Sequence, residues 1–170
     1  MFNTTIATQI YAKICFEATN SQKKIIENLS EYLSADDFSR IFVLNGFAGT
    51  GKTTLIAALV AALKELRIKP VLLAPTGRAA KVLARYCGEQ ALTIHKRIYR
   101  QRTNADYESK FSLDFNREQG AVFIVDEASM LSDSTGDGAL FGSGSLLEAV
   151  SYTHLRAHET RHDLVCRLLL

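Results

Sequence analysis

Residues 40–66, RIFVLNGFAGTGKTTLIAALVAALKEL, decide the fold of this chain. The apolar, β-branched run 40–44 predicts a buried strand, and the Ala- and Leu-rich residues 54–66 predict a helix. Between them, residues 46–53 fit the pattern G-x-x-x-x-G-K-[ST] of a phosphate-binding loop. A strand, a glycine loop and a helix in this order place phosphates at a helix N-terminus. The stretch therefore predicts a nucleotide site, the alternative being an ordinary glycine turn.

Each residue type in this loop has a physical task. The glycines let the backbone turn tightly, so that successive N–H groups point at one anion. Lys52 reaches the β- and γ-phosphates, and the Thr53 hydroxyl takes a place on Mg²⁺. We therefore expect ATP and Mg²⁺ as the bound groups. The residues predicted to hold them are Gly46, Gly49, Thr50, Gly51, Lys52, Thr53 and Thr54.

Composition narrows the class of protein. The 170 residues suffice for one domain, and 47% hydrophobic residues with two prolines indicate a globular chain. A net charge of +2 is too small to indicate a nucleic-acid partner by itself. Three scattered cysteines fit a reducing compartment, and no secretory signal is visible. The longest apolar stretch, residues 55–63, is far short of the ~20 residues that span a bilayer. A cytoplasmic location without a membrane partner is expected.

The remaining pattern alternates strands and helices. Asn20 or Ser21 is expected to cap a helix over residues 21–34. A buried strand over 70–74 leads into a helix from 78 to about 86, with Gly88 as its stop signal. A helical turn is expected near 93–99, an exposed strand near 111–115 and a third buried strand at 121–125, whereas residues 1–20 are weakly patterned. This alternation predicts an α/β fold with a parallel sheet flanked by helices.

An acidic pair, Asp126-Glu127, follows the third buried strand. A phosphate-loop enzyme needs carboxylates there, because the first can hold Mg²⁺ and the second can take a proton from the attacking water. The alternative is a solvated pair that opens a turn. We interpret Asp126 as a metal ligand together with Thr53, and Glu127 and Lys52 as catalytic residues. No arginine in the chain stands out as the cation that completes such a site.

Five segments resemble, in order, the motifs of superfamily 1 DNA helicases of the RecD-like, 5′-to-3′ branch. They are residues 21–22 for an adenine-reading glutamine, 46–54 for motif I, 74–81 for motif Ia, 93–95 for the motif after it, and 126–130 for motif II. The resemblance implies a RecA-like P-loop NTPase fold and an ATP-driven helicase or translocase. The alternative is a P-loop ATPase that acts as a nucleotide switch without unwinding nucleic acid.

The resemblance also implies site residues and partners. Gln22 would read adenine, since its amide can donate to N7 and accept from the N6 amine. Single-stranded DNA or a duplex end would be the partner. Without the resemblance, Arg78 and Lys81 would be a solvated helix face, and His95 a packed or capping histidine. The residues implied to contact DNA are Thr76, Gly77, Arg78, Thr93 and His95.

Residues 149–170 resemble something other than a helicase. Residues 150–159 can be read codon by codon as GTC TCT TAT ACA CAT CTC CGA GCC CAC GAG, which resembles a transposase-type sequencing adapter, and 164–170 match its far end. The same segment satisfies H-E-x-x-H through His158, Glu159 and His162, the pattern of zinc hydrolases. The adapter explains more of the segment. We therefore interpret 149–170 as a non-native tail and the zinc hydrolase as a remote alternative.

Residues 1–148 then correspond to part of the first motor domain, truncated after the strand of motif II. In such ATPases a further strand lies between the P-loop strand and that strand, and it is missing here. An open gap would leave backbone groups unpaired, so we expect a chain that aggregates or is molten. We expect the apolar run 164–170 to occupy the gap, beside Val43 and Ile124. Turnover is not expected, because it would need a second motor domain, expected to be absent here, that closes the cleft and donates an arginine.

Overall fold

The computed structural model describes residues 2–35, 41–47, 49–102, 110–113, 120–130 and 166–169. Its helices are α1 (Phe2–Lys13), α2 (Asn20–Ser34), α3 (Lys52–Glu65), α4 (Gly77–Cys87) and α5 (Ile94–Ile98), followed by a 3-10 turn at Ala128–Met130. Its strands are β1 (Phe42–Val43), β2 (Pro70–Ala74), β3 (Ala91–Thr93), β4 (Tyr99–Arg102), β5 (Lys110–Leu113), β6 (Val122–Val125) and β7 (Cys166–Leu169).

Five strands form a parallel sheet in the order β1-β7-β6-β2-β3. The predicted α/β fold is therefore confirmed. Strands β4 and β5 form a separate antiparallel pair. Because parallel strands need crossover connections, α3 links β1 to β2 and α4 links β2 to β3. The carboxyl ends of all five parallel strands lie at one edge of the sheet, where the loops that carry the predicted site begin.

Strand β7 lies between β1 and β6. Leu168 is in register with Phe42 on one side and with Ile124 on the other. The expectation that the run 164–170 occupies the central position is thus confirmed for residues 166–169. An unpaired gap between β1 and β6, the premise of the expected aggregation, is absent from the described part of the sheet. The aggregation itself stays a prediction, which size-exclusion chromatography checks.

Alternation along the strands divides the apolar residues between the two faces of the sheet. On one face, Leu72 and Ile124 belong to a core that α1, α2 and α3 share, together with Leu83 of α4. On the other face, Leu73 and Phe123 pack with Ile94 of α5 and its neighbours. The central strands read as continuous apolar runs because both faces are covered. Strand β1 was predicted to be buried, but Val43 in this strand at the sheet edge is 58% exposed.

Three local predictions need correction. Thr19, and neither Asn20 nor Ser21, caps α2, because a glutamine three residues later completes a capping box. Residues 2–13, predicted to be weakly patterned, form α1, which buries Ile6 and Ile10 in the shared core. Strands β3 and β4 were not predicted, although β5 lies where an exposed strand was expected.

None of the helices in the described ranges is long and apolar enough to cross a membrane.

Candidate nucleotide site at the carboxyl edge of the sheet

The predicted site residues follow the carboxyl ends of neighbouring strands. The P-loop follows β1, the pair Asp126-Glu127 follows β6, and Thr76 follows β2. Strand β7 separates β1 from β6, so the P-loop strand and the motif II strand lie about 10 Å apart. Strand β6 adjoins β2, and the Asp126 N–H donates to the Leu73 carbonyl at 3.0 Å. The sheet therefore brings the distant parts of the predicted site to one edge.

The P-loop leaves the first turn of α3 open. Gly49 and Gly51 have φ of +79° and +86°, which only glycine adopts without strain. Gly51 is the N-cap of α3, and no described side chain makes a cap hydrogen bond there. The Thr50 hydroxyl donates instead to the Phe47 carbonyl at 2.8 Å, which closes the loop behind the helix. The N-terminal donors of α3 and its dipole are thus available to an anion.

Lys52 is folded back onto its own loop. Its ammonium group donates to the Gly46 carbonyl and, at 2.9 Å, to the Phe47 carbonyl. These bonds hold a positive charge within the curve of the glycine loop. The Phe47 side chain itself is 89% exposed. The loop is thus shaped by backbone carbonyls and by Lys52 rather than by apolar packing.

Gln22 joins the start of α2 to the P-loop. Its Oε1 accepts from the Thr19 N–H at 3.0 Å, and its Nε2 donates to the Thr50 carbonyl at 3.3 Å. A Cβ added at Gly51 would lie 2.9 Å from Nε2, so the amide lies directly against the loop backbone. The structure therefore places Gln22 against the predicted P-loop, and its reading of adenine stays a prediction.

The acidic pair forms a tight turn of its own. Asp126 Oδ1 accepts from the Glu127 N–H at 3.0 Å, and the Glu127 carbonyl accepts from the Met130 N–H at 3.0 Å. Glu127 has φ of +54°, an unusual value for a residue with a Cβ. Such strain persists where surrounding structure holds it, often at functional sites. The Glu127 carboxylate is exposed and Asp126 is half-buried.

The donors available for Mg²⁺ fit that ion. Mg²⁺ is usually held through one or two carboxylates and the phosphates of a substrate, with water as its remaining ligands. Thr53 in the first turn of α3 and Asp126 after β6 offer a hydroxyl and a carboxylate of this kind. No group of three or more His, Cys, Asp or Glu that could hold a metal by itself occurs in the described ranges. The zinc pattern at 158–162 lies outside them.

The residues implied to contact DNA lie at the β2 and β3 end of the same edge. Thr76 Oγ1 accepts from the Ala79 N–H at 3.1 Å and caps α4, and Thr93 Oγ1 accepts from the Lys96 N–H at 3.2 Å. Each hydroxyl proton is still able to donate to another group. Ala74 and Thr93 are paired in register, which makes the two ends adjacent. Gly77, Arg78 and His95 are exposed.

Sequence reasoning named Lys81 beside Arg78 as a solvated helix face, but it did not identify Arg85 as a third cation of α4. Lys81 and Arg85 are exposed like Arg78, and the three follow one another at spacings of three and four residues. Such spacing places them on one side of the helix. None of the three side chains forms an ion pair or hydrogen bond with another described residue, whereas the Lys64 side chain pairs with Glu89. The helical spacing was the signal that could have indicated this positive face.

Comparison with known proteins agrees with the motifs and the fold. The protein family described as an AAA domain matches residues 17–140, more than half of the chain. The ATP-dependent RecD2 DNA helicase of Deinococcus radiodurans is 29% identical over 114 residues, which are 67% of this chain and 15% of that protein. The chain thus spans a small part of that relative, and the resemblance to RecD-like helicases is confirmed. On the strength of the family match, the chain belongs to the AAA domain family.

Proposed function

We propose that this chain is the ATP-binding part of a RecD-like DNA helicase. The intact helicase would couple ATP hydrolysis to movement along single-stranded DNA in the 5′-to-3′ direction. One observation carries the proposal. The same sheet edge holds an open helix N-terminus after β1, an acidic pair after β6 and exposed hydroxyl and basic groups after β2 and β3. The relative named an ATP-dependent RecD2 DNA helicase supports the same class of reaction.

At the nucleotide end, the backbone N–H groups around Gly49 and Gly51 would bind the phosphates of ATP. Lys52 would exchange the Gly46 and Phe47 carbonyls for β- and γ-phosphate oxygens. This exchange is favourable because charge-assisted bonds to phosphate are stronger than bonds to neutral carbonyls. Gly46, Thr50 and Thr54 would complete the cradle, and Gln22 would contact the adenine.

Thr53 and Asp126 would hold Mg²⁺, which in such sites neutralises charge on the β- and γ-phosphates. Glu127 would orient the attacking water and take its proton. Its exposed carboxylate is able to face a water molecule, and the φ of +54° sets its backbone apart from the strand it follows. We place the missing cation, an arginine, on a second motor domain that closes the cleft.

At the other end of the edge, Thr76, Gly77 and Arg78 would contact the phosphates of single-stranded DNA, with Thr93 and His95 beside them. The positive face of Arg78, Lys81 and Arg85 supports this assignment, because these cations are not neutralised by described acidic residues. Contacts of this kind carry little sequence information and weaken with salt, by a slope of about −0.7 per phosphate for single strands.

We also propose that residues 1–148 are the native segment and that 149–170 are adapter-derived. Strand β7 would then be a non-native strand in the position of the missing one. Sequencing the gene beyond codon 148 tests this directly. A continuation into a further strand and a second motor domain supports the proposal, and recovery of codons 149–170 in the genome overturns it.

We propose a cytoplasmic location, which the free thiols of Cys15 and Cys87 support.

The functional test uses the product of the intact gene. ATP hydrolysis is measured with and without single-stranded DNA, and unwinding is measured on duplexes with a 5′ or a 3′ tail. Stimulation by DNA and unwinding from the 5′ tail are expected, and Glu127→Gln should abolish both while ATP still binds. ATP hydrolysis that ignores DNA would favour the nucleotide switch instead.

A further inference from the structure

The amide of Gln22 is held at both of its ends. Its oxygen accepts from the Thr19 N–H, and its nitrogen donates to the Thr50 carbonyl. The orientation of the amide follows from these partners, since a donor faces the oxygen and an acceptor faces the nitrogen. A base reader that waits for a ligand does not need such bonds. These bonds indicate a task for Gln22 at the loop backbone itself.

The anchor that carries this amide is rigid. The Gln22 N–H donates to Thr19 Oγ1 at 3.3 Å, so backbone and side chain both take part in the cap of α2. Two turns of α2 then bury Ile26 and Leu29 in the shared core. The position of Nε2 is thus determined by packed structure, while the P-loop it contacts is exposed.

The contact has a consequence for the next residue. A peptide unit is planar and trans, so the Thr50 carbonyl and the Gly51 N–H point in opposite directions. Drawing the carbonyl towards Gln22 turns the Gly51 N–H away from Gln22. The positive φ of Gly51 then carries the chain directly into α3. The Gly51 N–H belongs to the donors that a phosphate-binding loop uses.

We propose that Gln22 is a positioning residue for the P-loop, which orients the Thr50–Gly51 peptide so that its N–H faces the phosphates. The inference rests on the proposed nucleotide site and deepens it. It differs from adenine reading, because it predicts that Gln22 controls affinity for a triphosphate that has no base.

Binding of ATP and of inorganic tripolyphosphate to the monomeric fraction of the 170-residue chain, isolated by size-exclusion chromatography and measured by calorimetry, tests the proposal. Gln22→Met keeps the length of the side chain but removes its donor and acceptor. The affinity for tripolyphosphate should fall about 3- to 10-fold, the effect of one neutral hydrogen bond, and the affinity for ATP should fall by at least that factor. The Gly51 amide resonance, followed by nitrogen-15 NMR, should shift in the variant before any ligand is added.

Thr19→Ala is the matched control. It removes the hydroxyl cap of α2 but leaves the bond from the Thr19 N–H and the contact with Thr50 in place. Its affinity for tripolyphosphate should stay within twofold of the original chain, even though α2 is weakened. If Thr19→Ala lowered that affinity as much as Gln22→Met, helix stability would explain the effect and the positioning role would be overturned.

Two other outcomes are separable. If Gln22→Met weakened ATP but not tripolyphosphate, Gln22 would be a base reader alone and the positioning role would be wrong, with the nucleotide site intact. If the original chain bound neither ligand, the proposed nucleotide site would itself be wrong.

Discussion

Helices α3 and α4 each follow the carboxyl end of a parallel strand, yet they differ in whether a side chain caps the first turn. The N-cap of α3 is Gly51, which has no side chain to offer. The N-cap of α4 is Thr76, whose hydroxyl oxygen accepts from the Ala79 N–H. Helix α4 satisfies one of its N-terminal donors with the Thr76 side chain, whereas no described side chain caps the donors of α3.

This difference separates two kinds of ligand contact along one edge. An open N-terminus next to Lys52 is suited to enclosing an anion. A capped N-terminus followed by exposed Arg78, Lys81 and Arg85 is suited to contacts along a polyanion. Under the proposed function, the same strand-turn-helix unit would serve two purposes, and the N-cap residue would distinguish them.

The largest expected effect comes from exchanging glycines at the two N-termini. Gly51→Ala meets a φ of +86° and places a Cβ 2.9 Å from Gln22 Nε2. It should lower the free energy of unfolding by about 1–3 kcal/mol. Gly77→Ala meets open space at the first residue of α4, and should raise it by about 0.5–1 kcal/mol. Urea unfolding of both variants measures the difference. Equal effects would remove the contrast between the two turns.

Lys52 tests the open turn as an anion site. Lys52→Ala should lower the affinity for tripolyphosphate by about 10- to 100-fold, as expected for the loss of a hydrogen-bonding charge. Lys81→Ala on α4 removes an equal charge outside the loop, and its effect should stay below about twofold, since exposed charges are screened. Titration calorimetry compares the two. A large loss in Lys81→Ala would mean that the anion binds along α4 instead.

Thr76 tests the capped turn. Thr76→Ala should destabilise the fold by about 1 kcal/mol, because the Ala79 N–H loses its partner. Thr76→Ser keeps a hydroxyl and should restore most of the loss. Thermal unfolding at fixed pH measures both. If alanine and serine were equally destabilising, the hydroxyl would not be the source of the stability.

The sequence predicted this contrast only in part. Strands β2 and β6 and helices α3 and α4 were predictable because apolar runs, helix formers and glycine stops agree locally. Helix α1 was not, since the burial of Ile6 and Ile10 against other elements decides it. The contact between Gln22 and Thr50 joins positions 28 residues apart, so no local pattern contains it. The capping of α4 by Thr76 is a local feature, but the resemblance to motif Ia implied a DNA contact for Thr76 and no cap.

The far end of α4 gives a pH-dependent prediction. Burial raises the pKa of the Cys87 thiol to about 11, and the charges of Asp126 and Glu89 add to the shift. The folded state thus favours the neutral thiol. The associated stability is present below about pH 9 and is lost as pH rises towards 11. Because the thiol is only half-buried, we expect a loss of at most about 1 kcal/mol. The free energy of unfolding of the original chain and of Cys87→Ser, each measured at pH 8 and 10.5, isolates the contribution of the Cys87 thiol.

The smallest expected effect concerns the ion pair that links the two helices. Lys64 of α3 pairs with Glu89, which follows α4, and both side chains are partly exposed. Glu89→Gln should cost a few tenths of a kcal/mol at low salt and nothing measurable at 1 M salt, where screening is complete within about 3 Å.

The same change removes one negative charge near Cys87, so the thiol should react with iodoacetamide at a slightly lower pH. Glu65→Gln, which breaks the separate pair with Lys13, is the control for losing an acidic residue. A shift in thiol reactivity in both variants would show that net charge, rather than the charge beside Cys87, sets its pKa.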